Sequence, residues 1–151
     1  MKYQDWLNEW MEDYIMPSSK QRTCTRYKEI VAQHIIPYLG EYEVTELSPL
    51  IFQKYVTLLL QSGNLKNGKG LAPNSVNSII SVIQCSLETA YRVGVCDEYV
   101  ADKIKRPRIT EKKIMCFDPI EQKKIEQAVL NNKSDKLFGI ILCLYTGLRI
   151  V

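Results

Sequence analysis

A run near the end of the chain, Leu144-Tyr145-Thr146-Gly147-Leu148-Arg149, places a single arginine behind an apolar helix, LFGIILCLY at 137–145. Gly147 suits the left-handed position that ends a helix, which puts Arg149 on a sharp turn at the edge of a core. A guanidinium is well matched to phosphate: its planar fork meets two oxygens at once and it stays charged. The plain alternative is an ordinary helix cap followed by a surface arginine, and four residues alone favour that alternative. Other reactive groups are sparse. The five cysteines (24, 85, 96, 116 and 143) include no C-x-x-C pair and their spacings match no zinc pattern; His34 is the single histidine. Neither a structural metal nor a disulfide framework is expected, no cofactor is implied, and a reducing cytoplasm fits the cysteine usage.

Charge is distributed rather than abundant. The net is only +3, but residues 1–15 set Lys2 against Asp5, Glu9, Glu12 and Asp13, while residues 16–37 set Lys20, Arg22, Arg26 and Lys28 against Glu29. Residues 103–113 (KIKRPRITEKK) carry six cations against Glu111. Two basic patches on a nearly neutral chain are the form that an electrostatic footprint for nucleic acid takes, although solvated lysines explain either patch taken singly. No signal peptide is expected, and the longest apolar run, nine residues at 137–145, is too short to span a bilayer.

The elements that must position these groups are mostly helices. Tyr3, Trp6, Leu7, Trp10, Met11 and Tyr14 form one apolar stripe, which Pro17 and two serines should stop. A second helix is expected from about Arg22 to Ile35, ended by Pro37 and Gly40. Cys24, Tyr27, Val31 and His34 line one face of it; Arg22, Arg26, Glu29 and Gln33 lie opposite. His34, on the apolar side, reads as a packed, hydrogen-bonded residue. Ser48-Pro49 opens a third helix that buries Phe52, Tyr55, Val56 and Leu59. After a Gly/Asn/Lys-rich loop at 61–72, a long fourth helix runs from about Asn74 to Val93, with Val76, Ile80, Ile83, Leu87 and Tyr91 as its core stripe and Gly94 as its cap. Its N-terminal half is crowded with Asn74, Ser75, Asn77, Ser78, Ser81 and Gln84. Such mediocre helix formers imply either close approach to another surface or simply a solvated face. Residues 103–113 read as a basic linker, Ile114–Phe117 as a short strand, and Asp118-Pro119-Ile120-Glu121 as a helix start; the fifth helix should reach about Leu130.

Placed in this order, the pieces resemble a tyrosine recombinase of the phage and conjugative-transposon integrase type. The carrying segments are DWLNEW at 5–10, HIIPYLG at 34–40, LSPLIFQKYVTLLLQSG at 47–63, NSVNSIISVIQCSLETAYRVG at 74–94, FDPIEQKKI at 117–125 and LCLYTGLRI at 142–150. The resemblance implies a mainly α chain: a four-helix, SAM-like core-binding domain over 1–102, a basic interdomain linker over 103–113, and over 114–151 the mostly helical start of an α+β catalytic domain.

In such a protein the two domains clamp duplex DNA, with the second and fourth helices toward the duplex and the linker along its backbone. The matching positions are Arg22, Thr23 and Arg26 on the second helix, Asn74, Asn77, Ser78 and Ser81 on the fourth, and Lys103, Lys105, Arg106 and Arg108 in the linker. Arg149 matches the family's first catalytic arginine, which grips the scissile phosphate and stabilises the charge of the transition state. The nucleophile is a tyrosine that forms a 3′-phosphotyrosyl link, and no metal takes part. The remaining catalytic groups of the family lie downstream of this arginine, and all nine tyrosines here precede it. The expectation is therefore a truncated recombinase that binds double-stranded DNA, and other protomers of its kind, without cleaving DNA as it stands. A standalone regulator or decoy of an intact integrase, and a helical interaction module without a nucleic-acid role, are the competing readings. Neither a membrane nor a small-molecule substrate is expected.

Overall fold

The computed structural model of the chain describes residues 1–110, 115–132 and 135–148. The chain divides into two compact units, Met1–Thr110 and Glu111–Val151, a division that falls inside the segment read as the linker. Four helices build the first unit. Helix α1 covers 3–18 as an α-helical stretch Tyr3–Trp10, a π-helical turn Met11–Ile15 and a last α turn Met16–Ser18. Helix α2 covers 21–39 in the same three parts, Gln21–Ile30, Val31–Ile35 and Ile36–Leu39. Helices α3, Pro49–Ser62, and α4, Pro73–Arg92, follow.

The helices end where the sequence places their stops: α1 at Ser18, one residue past Pro17 and capped by Ser19, and α2 at Leu39, two residues past Pro37 and capped by Gly40, beyond the expected Ile35. A π turn before each proline lets it enter the last turn. Met16 N–H reaches back to the Met11 carbonyl and Ile36 N–H to that of Val31, five residues rather than four. The extra residue widens the turn just where a proline has no N–H to donate and its ring needs room. The two helix starts at Pro49 and Pro73 are the favoured use of the same residue, and the Ser48 hydroxyl caps α3 by accepting from Ile51 N–H at 3.4 Å. Gly94 follows α4 at φ 78°, in the left-handed conformation foreseen for it.

The apolar stripes meet in one core. Tyr3, Trp6, Leu7 and Trp10 of α1, Ile35 and Leu39 of α2, Phe52 and Leu59 of α3, and Val76, Ile80, Ile83 and Leu87 of α4 are all buried. Tyr14 and Tyr91, assigned to these stripes from their spacing, are instead 39% and 49% exposed. Each sits near the end of its helix, where the neighbouring helices no longer cover the face. The aromatic ring systems of α1 are also tied to α4 by their polar tips. Trp6 Nε1–H donates to the Ser86 carbonyl at 3.1 Å and Trp10 Nε1–H to Thr89 Oγ1 at 3.2 Å. The Tyr3 hydroxyl and Ser86 Oγ lie 2.7 Å apart, and Ser86 Oγ lies 2.9 Å from the Ile83 carbonyl. A carbonyl only accepts, so Ser86 donates to Ile83 and Tyr3 donates to Ser86. Burial pushes the Tyr3 phenol well above its ordinary pKa, keeping that donor proton in place.

His34 is packed as expected but not hydrogen-bonded as expected. Its Nδ1 is buried without a partner, while its backbone carbonyl accepts from the Tyr55 hydroxyl at 2.7 Å. Burial lowers the imidazole pKa below its ordinary value.

In the second unit, α5, Pro119–Asn131, begins with the box read from the sequence. The Asp118 carboxylate accepts from Ile120 and Glu121 N–H at 2.8 and 2.7 Å, and the Glu121 carboxylate accepts from Asp118 N–H at 3.1 Å. Helix α6, Asp135–Thr146, is linked to it by the Tyr145 hydroxyl on Glu126 at 2.7 Å. Phe138 and Tyr145 are about two-thirds exposed, so this apolar helix has its aromatic side chains uncovered. The strand expected over 114–117 does not form at 115–117, where no other segment among the described residues offers a ladder, and Ile114 lies outside the described residues. Among the described residues the isolated bridge is Lys2 with Glu43.

Ser86→Ala strands a buried phenol proton and should destabilise the first unit by about 1–3 kcal/mol in urea titrations. Adding Tyr3→Phe should recover part of the loss, so that the double variant falls short of the summed single effects. The depressed pKa of His34 contributes stability that is present above the ordinary histidine value and lost as pH falls through the lower folded value. Unfolding free energy should therefore drop between pH 7 and 5 by more in the native protein than in His34→Gln.

Candidate nucleic-acid interface

Helices α2 and α4 pass one another with their polar edges on the same side of the first unit, leaving an open groove of about 460 Å³. Lys20, Arg22, Thr23 and Arg26 border it from α2 and its entry, Ser78 and Ser81 from α4. Its floor includes Tyr27, whose ring stacks on the buried Trp10 at 6.0 Å between centroids, so the groove rests directly on the core. Arg22, Thr23 and Arg26 are exposed.

The small polar residues of α4 have a local explanation that neither sequence alternative supplied: they seat arginines. Arg26 Nη2–H donates to Ser78 Oγ at 2.9 Å, and that hydroxyl donates on to the Asn74 carbonyl at 3.1 Å. From the other direction, Arg106 Nη1–H reaches the Asn77 carbonyl at 3.3 Å and Ser81 Oγ at 3.2 Å, while Nη2–H reaches Ser81 Oγ at 3.1 Å and Gln84 Oε1. Asn77 Nδ2–H donates to the Pro107 carbonyl at 3.3 Å, and Asn77 Oδ1 is buried without a partner. Short side chains allow a guanidinium to approach the helix closely, and a hydroxyl can accept from it while donating back to its own helix.

The linker cations are not equivalent. Lys103 pairs with Glu98 at 2.7 Å, and that hydrogen bond raises its pKa. Both partners are exposed, so this pair holds little energy against water and salt. Arg106 is engaged as described, and Lys105 and Arg108 are exposed. Arg149 lies outside the described residues; just before it, Gly147 has φ 68° and its N–H bonds to the Cys143 carbonyl at 2.9 Å, the helix-ending geometry expected of that glycine. The phenols of Tyr3 and Tyr55 are committed to core hydrogen bonds, and burial raises both pKa values.

Three side chains outside the expected contact set also shape this surface. Lys20 borders the groove although it precedes the helix; it was counted in the basic patch but not placed. Gln84, visible in the sequence as part of the polar face of α4, continues the row of Asn77 and Ser81 by one more turn. Gln53 on α3 accepts from Lys105 N–H at 3.2 Å, and nothing local in the sequence announces it.

The site is thus a basic groove on a small helical bundle, lined by short polar groups and flanked by a basic connector, and comparison with known proteins narrows the class of domain. Residues 2–60 match the family described as "Phage integrase, N-terminal SAM-like domain". An integrase of Saccharopolyspora erythraea is 22% identical over 143 residues, covering 93% of this chain and 31% of that protein. The solution structure of an integrase-like domain from Bacillus cereus is 30% identical, with a TM-score of 0.60, over 74% of this chain and 88% of that one. The fold also matches lambda integrase, solved as a dimer bound to a COC′ core site, with a TM-score of 0.78 at 17% identity over 99% of this chain and 51% of that one. The chain belongs to the tyrosine recombinase family of phage-type integrases. It spans about a third of the length of the curated relative it matches.

Among the described residues no helix is long and apolar enough to cross a membrane, and no cluster of His, Cys, Asp or Glu is arranged to hold a metal ion.

Proposed function

We propose that this chain binds duplex DNA through the α2/α4 groove, as the core-binding part of a site-specific tyrosine recombinase. The observation that carries the reading is the groove itself: Lys20, Arg22 and Arg26 on one wall, hydroxyls on the other, and no acidic residue along its lining. Arginines at such a wall meet phosphate oxygens in pairs, and hydroxyls and amides add uncharged hydrogen bonds to the sugar–phosphate backbone. Lys105 and Arg108 extend the contact beyond the groove. Most of the affinity on this reading is sequence-independent and comes from counterion release.

In the complete recombination reaction Arg149 holds the scissile phosphate, and its fixed charge stabilises the transition state as a tyrosine attacks phosphorus and the 5′-hydroxyl departs. The bond to tyrosine conserves the energy of the broken phosphodiester for rejoining to a new strand. DNA, and further recombinase protomers assembled on it, are the partners of this chain.

Fluorescence anisotropy with a labelled duplex over a salt series tests the DNA-binding part. The native chain should bind with a slope of log K against log salt set by the phosphates neutralised, about −0.9 for each. Arg22→Glu with Arg26→Glu should lower affinity more than tenfold and flatten the slope by about two contacts. Equal binding by native and doubly reversed chains would remove the groove from the mechanism.

A further inference from the structure

We propose that residues 101–107 form a strap fastened to the first unit, that Gln84 is its clasp, and that this fastening presents the linker cations to DNA. The second half of the proposal rests on the duplex-binding reading above; the first half does not.

The amide of Gln84 holds the segment at two points. Its Nε2–H donates to the Ala101 carbonyl at 2.9 Å and its Oε1 accepts from Arg106. A carbonyl can only accept and a guanidinium can only donate, so the two partners together fix which way the amide faces. Three further side chains act between and beyond these points. Gln53 accepts from Lys105 N–H, Ser81 accepts from both Nη groups of Arg106, and Asn77 donates to the Pro107 carbonyl. Ala101 and Ile104 are buried alongside, contributing apolar anchors. A segment that reads from its composition as a solvated tether is thus held at Ala101, Ile104, Lys105, Arg106 and Pro107.

Arg106 is then a positioning residue first. Both of its Nη groups are spent on acceptors of the protein itself, and the exposed cations that flank it, Lys105 and Arg108, are the ones its docking places. Ordering a flexible segment costs conformational entropy when it binds; a segment already ordered avoids that cost at the moment of contact. Loss of the clasp should weaken duplex binding without removing any charge.

Gln84→Ala separates these roles. Hydrogen exchange on the full chain without DNA should show slow exchange at Lys105 N–H in the native protein. In Gln84→Ala, exchange across 101–107 should rise at least tenfold while the amides of α4 keep their protection, which also shows that the variant is folded. Gln53→Ala should release the Lys105 amide alone. With a labelled duplex, Gln84→Ala should bind about three- to tenfold more weakly, the worth of one to two hydrogen bonds, with the salt slope unchanged because every cation remains. Native exchange across 101–107 as fast as in unprotected chain, or unaltered exchange in Gln84→Ala, overturns the strap. A loosened strap with native duplex affinity overturns its role in presenting the cations. If the native chain binds no duplex, the proposed function and the presentation role fall together, and exchange alone judges the fastening.

Discussion

The geometry of the first unit depends on how the aromatic stripe of α1 is pinned to the middle of α4. Tyr3, Trp6 and Trp10 each bury a large ring and each finds a hydrogen-bond acceptor on α4, at Ser86 or three residues on at Thr89. Ring burial supplies most of the favourable free energy, while the polar tips permit only one register. A slide of α1 by one turn would leave two indole N–H groups and a phenol unpaired in an apolar interior, each costing on the order of 1–3 kcal/mol. Serine at position 86 is small enough to admit the rings and polar enough to satisfy one of them.

From that pin the groove follows. Trp10 carries Tyr27 on its face, and Tyr27 is a floor residue of the groove, so α2 is set against α4 through the same aromatic stack. The buried side of α4 thereby determines what its opposite side presents. Asn77, Ser78, Ser81 and Gln84 lie on the turns left uncovered by α1, where they receive Arg26 from α2 and Arg106 from the connector. Placing two guanidinium groups against neutral acceptors, rather than carboxylates, leaves their charge uncompensated and available to the field around the groove. Much of the acidic charge lies on another helix: Asp5, Glu9, Glu12 and Asp13 are exposed on α1, whose other face is in the core.

The connector shows how a short polar helix face can organise a segment that has no secondary structure of its own over most of its length. Its hydrogen bonds come chiefly from neutral amides and hydroxyls, which hold their strength across salt and pH better than exposed ion pairs do. The Lys103–Glu98 pair, by contrast, is a solvent-screened contact. A basic segment fastened by uncharged groups keeps its own charge for other partners.

Helix existence, helix caps and most of the core were legible from spacing alone, because burial stripes and cap residues act within one element. The Asp118–Glu121 box and the left-handed Gly94 and Gly147 are local in the same sense. Residue types also located the basic patches and the polar row on α4. What local patterns could not supply was partnership across elements. Pro17 and Pro37 marked the helix ends to within two residues, but the π turns that precede them carry no local signature. Tyr14 and Tyr91 fit their stripes by period and lie in solvent, because exposure depends on how far the neighbouring helices extend. The serines and asparagines of α4 announced a polar face, but only the fold decided that arginines from residues 26 and 106 would dock on it, and that Gln53 would hold Lys105. Those contacts join residues 22 to 52 positions apart, and such pairings are set by the assembled bundle rather than by any one stretch of chain.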